Sequence, residues 1–241
     1  LLVLPEGRGS LTTPPHDIVG RPIQEYLPRG DDAAALLECM ERSCEVFADH
    51  PVNRRRVLEG KIPATGTWPW SGGKRPSLEP FREKYGLAGG VISAVDLLGG
   101  IARLAGMEGI RVPGATGVIG TDYKAKARYA VDALDRLDFV YMHVEAPDEA
   151  GHMGSVEEKV RAIERLDEAI GIILERPETV VAVLPDHPTP IRCRTHTADP
   201  VPFAVLGKGK DGVKGFSERE ARKGSFGLME AAAFLPMLFS P

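Results

Sequence analysis

The chain has 241 residues, 43% hydrophobic and 27% charged, the balance of an ordinary soluble globular protein, with room for one large domain or one and a half smaller ones. Its net charge of −4 gives no general attraction to nucleic acid or to an anionic membrane surface, and no apolar run approaches the ~20 residues that a membrane span needs. Cys39, Cys44 and Cys193 form no C-x-x-C pair, which fits packing thiols in a reducing cytoplasm.

The first stretch, "LLVLPEGRGS", lacks the basic start and long apolar core of a signal peptide and carries no initiator Met. It reads as the interior of a longer product or as a chain whose start was removed. Residues 1–32 are rich in Pro and Gly and read as loop, including "TTPPHDIVGRP" at 12–22. Over 33–49, Leu36, Leu37, Met40, Cys44 and Phe47 fall near one face of a helix, ended by His50, Pro51 and Asn53. Residues 53–81 are basic and turn-rich, too long for a simple connection, and read as a functional segment or a domain junction.

From residue 84 the texture changes to alternating strands and helices. "GGVISAVDLLGGIARLAGM" reads as strand then helix, 122–137 as a helix, "DFVYMHVEA" as a strand, and 155–174 as a helix opened by the capping box of Ser155 and Glu158. "TVVAVLP" at 179–185 and "VPFAVLG" at 201–207 are further strands, and the tail is helical until Pro236. The expected fold is α/β: a mostly parallel sheet flanked by helices in 84–241, with part of a second α/β domain in 1–83.

Ligands of open parallel sheets bind at the carboxyl ends of the strands. Here two of those ends carry "PDEAGH" and "DHPTP", and the next loop carries "RTHTADP" just before the third strand, so three neighbouring loops are expected to hold Asp148, His152, Asp186, His187 and His196. Carboxylate oxygen with imidazole nitrogen suits Mn²⁺, Zn²⁺, Co²⁺ or Fe²⁺. Five such groups exceed what one open metal site takes from protein, and two adjacent metals would use them to clamp a phosphoryl transfer. Each motif alone is as well read as a turn or a helix cap; their recurrence at successive strand ends favours metal chemistry. Around them, His143 and Glu145 read as groups supporting the ligands or as core residues, Trp68 and Trp70 as packing residues, and His16 with Asp17 as a turn in preference to part of a substrate pocket. Arg54, Arg55 and Arg56 are equally well read as a bidentate anion site or as a solvated basic stretch.

"HVEAPDEAGHMGSVEEKVRAIERLD" followed by "VLPDHPTPIRCRTHTADPVPF" resembles the archaeal-type cofactor-independent phosphoglycerate mutases of the alkaline phosphatase superfamily. "TPPHDIVG", "HPVNRRRVLEGKIPA", "KYGLAGGVISAVDLLGGIARLAGM" and "VPGATG" resemble the same family, so the likeness runs through nearly the whole chain. It implies an alkaline-phosphatase-like metal domain with an inserted substrate domain. It implies one metal on Asp148, His152 and His196 and a second on Asp186 and His187, Mn²⁺ preferred and no 2,3-bisphosphoglycerate. The implied substrate is a small phosphorylated acid, 3-phosphoglycerate, converted to 2-phosphoglycerate in glycolysis or gluconeogenesis through a phosphoserine. Lys84 matches a lysine that the superfamily's mutases place beside the transferring phosphate, and Arg54 is the companion candidate for substrate contact. The family's nucleophilic Ser, with the Asp that completes its second metal site, has no counterpart here; Ser10, Ser43, Ser71 and Ser77 stand in other contexts. The chain alone is therefore expected to be inactive. "PATGTWPWSGG" at 63–73 also departs from the family, with Gly66 and Pro69 re-aiming a substrate loop. The competing readings are another phosphotransferase or phosphatase of the superfamily, including the homoserine-kinase label of bacterial relatives, and a non-catalytic metal-binding fragment.

Overall fold

The computed structural model describes residues 2–15, 18 and 20–240, so His16 and Asp17 lie outside the described residues. The chain divides into two compact units, 1–76 and 77–241. The boundary expected at 83/84 falls inside a helix of the second unit. Among the described residues no helix is long and apolar enough to cross a membrane.

In the first unit, β1 (Ser10–Leu11) pairs antiparallel with β2 (Arg29–Gly30), and α1 (Ala33–Ala48) and α2 (Pro51–Leu58) follow. The opening of the basic stretch at 53 is thus helical. Pro51 starts α2 instead of breaking the chain, because a first-turn residue needs no N–H partner and proline already holds a helical φ. The His50 side chain caps it by accepting from Val52 N at 3.3 Å. Buried Asn53 then ties the following segment back: its Nδ2 donates to Phe47 O and Ala64 O at 2.7 and 2.6 Å, and its Oδ1 accepts from Ala64 N at 2.9 Å. The 63–73 loop is held to α1 through Ser43, whose Oγ accepts from Thr67 N at 2.8 Å.

The second unit opens with α3 (Phe81–Tyr85), β3 (Gly89–Ile92), α4 (Asp96–Leu104), β4 (Glu108–Gly109), α5 (Tyr123–Ala133) and β5 (Phe139–Met142). It continues with α6 (Ala146–Met153), α7 (Val156–Leu174), β6 (Val181–Val183), β7 (Ala204–Leu206), α8 (Glu218–Ala221) and α9 (Ala231–Phe239). Pro236 lies inside α9, so the last helix runs past the proline expected to end it. The central sheet has the order β4-β3-β5, all parallel, with Ile92 opposite Met142. The strands β6 and β7 make a separate antiparallel pair.

Small side chains bring the helices close to this sheet. Tyr123, Ala127, Ala146, Ala162 and Ala169 form one buried cluster of α5, α6 and α7, and Ile92, Val112 and Ala130 form a second against β3. Phe81 stacks on Phe139 at 5.4 Å, and Phe239 meets both rings edge-on, which is why α3 belongs to this unit. Ser155 caps α7 as expected, accepting from Glu158 N at 3.2 Å. The reciprocal half of the capping box is missing: Ser155 N bonds Ala150 O, and the Glu158 carboxylate pairs with Arg161.

Candidate metal centre

The strand β5 emerges from the sheet at His143 and turns directly into a helix. "PDEAGH" was expected as a loop; it forms α6, because Pro147 sits in the first turn and pre-sets a helical φ. The consequence is geometric. Asp148 and His152 are four residues apart and share one helix face. Gly154, at φ +71°, ends the helix, and the space where its Cβ would stand is filled by the Arg194 guanidinium.

His196 arrives from the long connection between β6 and β7. Three side chains then converge. Asp148 Oδ2 is 3.2 Å from His152 Nε2, Asp148 Oδ1 is 3.3 Å from His196 Nε2, and the two Nε2 atoms are 3.1 Å apart. Ligands at 2.0–2.1 Å around a tetrahedral ion are separated by about 3.3 Å, so the distance between the two imidazole nitrogens fits one edge of such a site, and each nitrogen has an Asp148 oxygen at a similar distance. The tautomers fit as well. A carbonyl oxygen only accepts, so His152 Nδ1 donates to Arg194 O at 2.9 Å, the tautomer whose neutral form offers Nε2 to a metal. One carboxylate and two imidazoles suit a divalent transition metal.

His187 and Asp186 stand beside this group. The His187 ring stacks on His196 with centroids 3.7 Å apart, and its Nδ1 is 4.0 Å from Asp148 Oδ1. Thr189 Oγ1 gives its proton to Asp148 Oδ1 and therefore accepts from His187 Nδ1 at 3.3 Å. On its other side His187 Nε2 stands 3.5 Å from Asp186 Oδ2. The structure thus brings all five expected side chains into one neighbourhood. A second acidic group, Glu145, Asp148 and Glu149, shares Asp148 with it.

Lys84 is not gathered there. It is exposed on α3 with its ammonium 5.5 Å from the Tyr85 ring centroid, and it makes no hydrogen bond or ion pair to the five. Arg54 lies in the first unit, where its guanidinium donates to Asp49 O at 3.1 and 2.8 Å and closes the end of α1. His143 and Glu145 are joined to each other, Nε2 to Oε2 at 3.3 Å, and His143 Nδ1 meets Ser93 Oγ at 3.3 Å. Burial pushes the His143 imidazole below its usual range. Trp68 packs in the first unit and donates through Nε1 to Thr13 O at 2.8 Å.

Several supporting residues escaped sequence reasoning. Buried Thr189 holds Asp148, and Lys159 Nζ fixes the Thr189 carbonyl at 2.7 Å. Arg194, at φ 55°, contributes a backbone carbonyl that no motif announces. Gly151 did leave a signal, a glycine inside a helix between two ligands: a Cβ there would stand 2.5 Å from Thr189 O.

Comparison with known proteins bears on the same residues. The chain is 49% identical to a 2,3-bisphosphoglycerate-independent phosphoglycerate mutase of Methanothrix thermoacetophila, over 100% of this chain and 63% of the relative. It is 46% identical to a probable enzyme of that name from Geobacter sulfurreducens, over 99% of this chain and 62% of the relative. It therefore spans about three fifths of the length of these relatives. Among solved structures, a Pyrococcus horikoshii protein matches with TM-score 0.72 and 36% identity, covering 87% of this chain and 58% of that one. The cofactor-independent phosphoglycerate mutase of Thermoplasma acidophilum matches with TM-score 0.50 and 28% identity, covering 86% of this chain and 52% of that one. The model of the metalloenzyme superfamily matches residues 24–241, and the chain belongs to that superfamily.

Proposed function

We propose that these residues serve the metal-dependent interconversion of 3-phosphoglycerate and 2-phosphoglycerate without 2,3-bisphosphoglycerate, in the cytoplasm and as part of glycolysis or gluconeogenesis. The observation that carries the reading is the convergence of Asp148, His152 and His196 within 4.8 Å of one another, with Asp186 and His187 beside them. The names of the relatives point the same way. In this reading Asp148, His152 and His196 hold one divalent ion, and Asp186 with His187 contributes to a second, Mn²⁺ preferred and Zn²⁺ or Co²⁺ as alternatives. Bound there, the ions supply Lewis-acid stabilisation of the charge on a transferring phosphoryl group. The chain's own residues hold the ligands still: Thr189 and the Arg194 carbonyl orient a carboxylate and an imidazole. The unit 1–76 is read as part of a substrate domain, with Arg54, and Lys84 of the second unit, as candidate contacts to the substrate's anionic groups. The phosphoserine is placed on a residue outside these 241.

The test is turnover of 3-phosphoglycerate coupled to enolase, in the protein carrying these residues, with and without Mn²⁺. Asp148→Asn and His152→Ala should abolish both turnover and retention of metal after dialysis. Metal content unchanged in His152→Ala with His196→Ala would remove the ligand assignment. Phosphate release from other esters, with no action on phosphoglycerate, would keep the phosphoryl-transfer chemistry and remove the mutase.

A further inference from the structure

A lysine is buried where an apolar residue would pack. Lys126 lies on the inner face of α5 between Tyr123 and Ala130, and it is 1% exposed. Its Nζ donates to His143 O at 3.1 Å, with Thr116 O at 3.5 Å. Burial pushes its pKa down, and Glu145 is the charge that opposes this. Taking an ammonium out of water is costly unless acceptors and an opposite charge receive it, so the site must use what the group offers.

What it offers is an anchor at one place in the chain. The His143 N–H donates to Ile92 O at 2.8 Å, the last link between β5 and the sheet. The His143 carbonyl, the next polar group, is the one Lys126 takes. Two residues later Glu145 O accepts from Asp148 N and Glu149 N at 2.9 and 3.1 Å and starts α6. The turn 143–146 therefore sets the direction of the helix that carries Asp148 and His152.

We propose that Lys126 is a positioning residue of the metal centre, holding the His143 carbonyl so that α6 presents Asp148 and His152 together toward His196. This rests on the reading of those three residues as metal ligands. The sign of the effect separates the role from plain electrostatics. A positive charge near a carboxylate group opposes cation binding, so removing it should tighten binding if charge were all that mattered. Loss of an anchor should weaken binding, by about 10- to 100-fold if it compares with other groups that orient metal ligands.

The experiment compares wild type, Lys126→Met and Lys126→Gln by Co²⁺ affinity, the visible absorption of bound Co²⁺, and amide exchange over 143–153 in the metal-free protein. Lys126→Met should bind Co²⁺ at least about tenfold more weakly, with an altered spectrum and faster exchange, and Lys126→Gln, which keeps an N–H donor, should recover part of the loss. Unchanged or tighter Co²⁺ binding in folded Lys126→Met would overturn the proposal. If that variant does not fold, Lys126→Gln decides, with wild-type affinity and wild-type exchange counting against it. If wild type and His152→Ala bind Co²⁺ equally poorly, the ligand reading fails. Amide exchange then still measures the anchor, and unchanged exchange in both lysine variants removes that as well.

Discussion

His152 Nδ1 donates to the carbonyl oxygen of Arg194 at 2.9 Å, so an imidazole on a helix is oriented by the main chain of a loop. The holding atom is a backbone oxygen, and the Arg194 side chain is not required for it. Arg194→Ala removes the guanidinium packed beside Gly154 but leaves this oxygen in place, and should therefore keep metal affinity within about a factor of two, the usual effect of trimming an exposed side chain. A Zn²⁺ competition titration checks this. A loss as large as that of His152→Ala would assign the orienting role to the guanidinium.

Thr189 acts on the other first ligand through its side chain. Its hydroxyl donates to Asp148 Oδ1, and among the described residues no backbone group donates there. Thr189→Val keeps the shape and removes the donor, and should weaken metal binding by about 10- to 100-fold. Thr189→Ser should restore most of it. Equal affinity in all three proteins would show that Asp148 needs no support from this loop.

Gly151→Ala inverts an ordinary expectation. In an exposed helix interior, replacing Gly by Ala stabilises by about 1 kcal/mol. Here the new Cβ would stand 2.5 Å from Thr189 O and 2.9 Å from Thr189 Cγ2, and backbone cannot yield as a flexible side chain does. The change should destabilise by about 1–3 kcal/mol, as other overpacking changes do, and displace Thr189 from Asp148. Denaturant unfolding of the metal-free protein reads the sign; a stabilised variant would contradict this packing.

The pH dependence follows from His143. Burial lowers its pKa below the ordinary 6.5, against the raising pull of Glu145, Asp186 and Asp148. Between 6.5 and the lower folded value the unfolded chain binds a proton that the native state refuses. Stability is therefore lost as pH falls through that window and levels off below the folded value. In the metal-free protein, Tm should fall less steeply over this window for His143→Gln than for wild type. Parallel curves would show that His143 takes up its proton equally in both states.

What the sequence made legible is what its periodicity and caps encode. The α5 and α7 helices follow from apolar spacing and from Asp122 and Ser155 at their starts, and the parallel sheet follows from the alternation of strands with helices. The five carboxylate and imidazole groups were legible because their motifs lie in the loops next to successive strands, Asp148, His152, Asp186 and His187 after a strand and His196 ahead of the next. The failures have physical causes too. Pro51 was read only as the end of α1 and "PDEAGH" only as a loop, although a first helical turn favours proline, so α2 and α6 were missed. The β6 and β7 strands were expected to belong to the mostly parallel sheet; they form a separate antiparallel pair, because strand direction depends on the path of the connection, which composition does not encode. Lys126 left no signal in the sequence, because the carbonyl that receives it belongs to the following strand end and not to its own helix.

The last prediction concerns activity of these 241 residues by themselves. A mutase that works through a phosphoserine needs a hydroxyl that can be deprotonated at the metal centre. The hydroxyl hydrogen-bonded to Asp148 belongs to Thr189, whose proton is committed to that carboxylate. Ser93 lies beside His143, but its Oγ already accepts from Val95 N at 3.0 Å and caps the turn into α4. Removal of an activated nucleophile lowers turnover on the order of 10⁶ in other covalent enzymes. The chain should therefore bind metal yet give no measurable 2-phosphoglycerate in an enolase-coupled assay with Mn²⁺. Fusion to the part of the Methanothrix relative that it does not match should produce turnover, and that turnover should vanish in His196→Ala. Robust activity of the unfused chain would place the nucleophile within these residues, and loss of that activity in Ser93→Ala would then identify it.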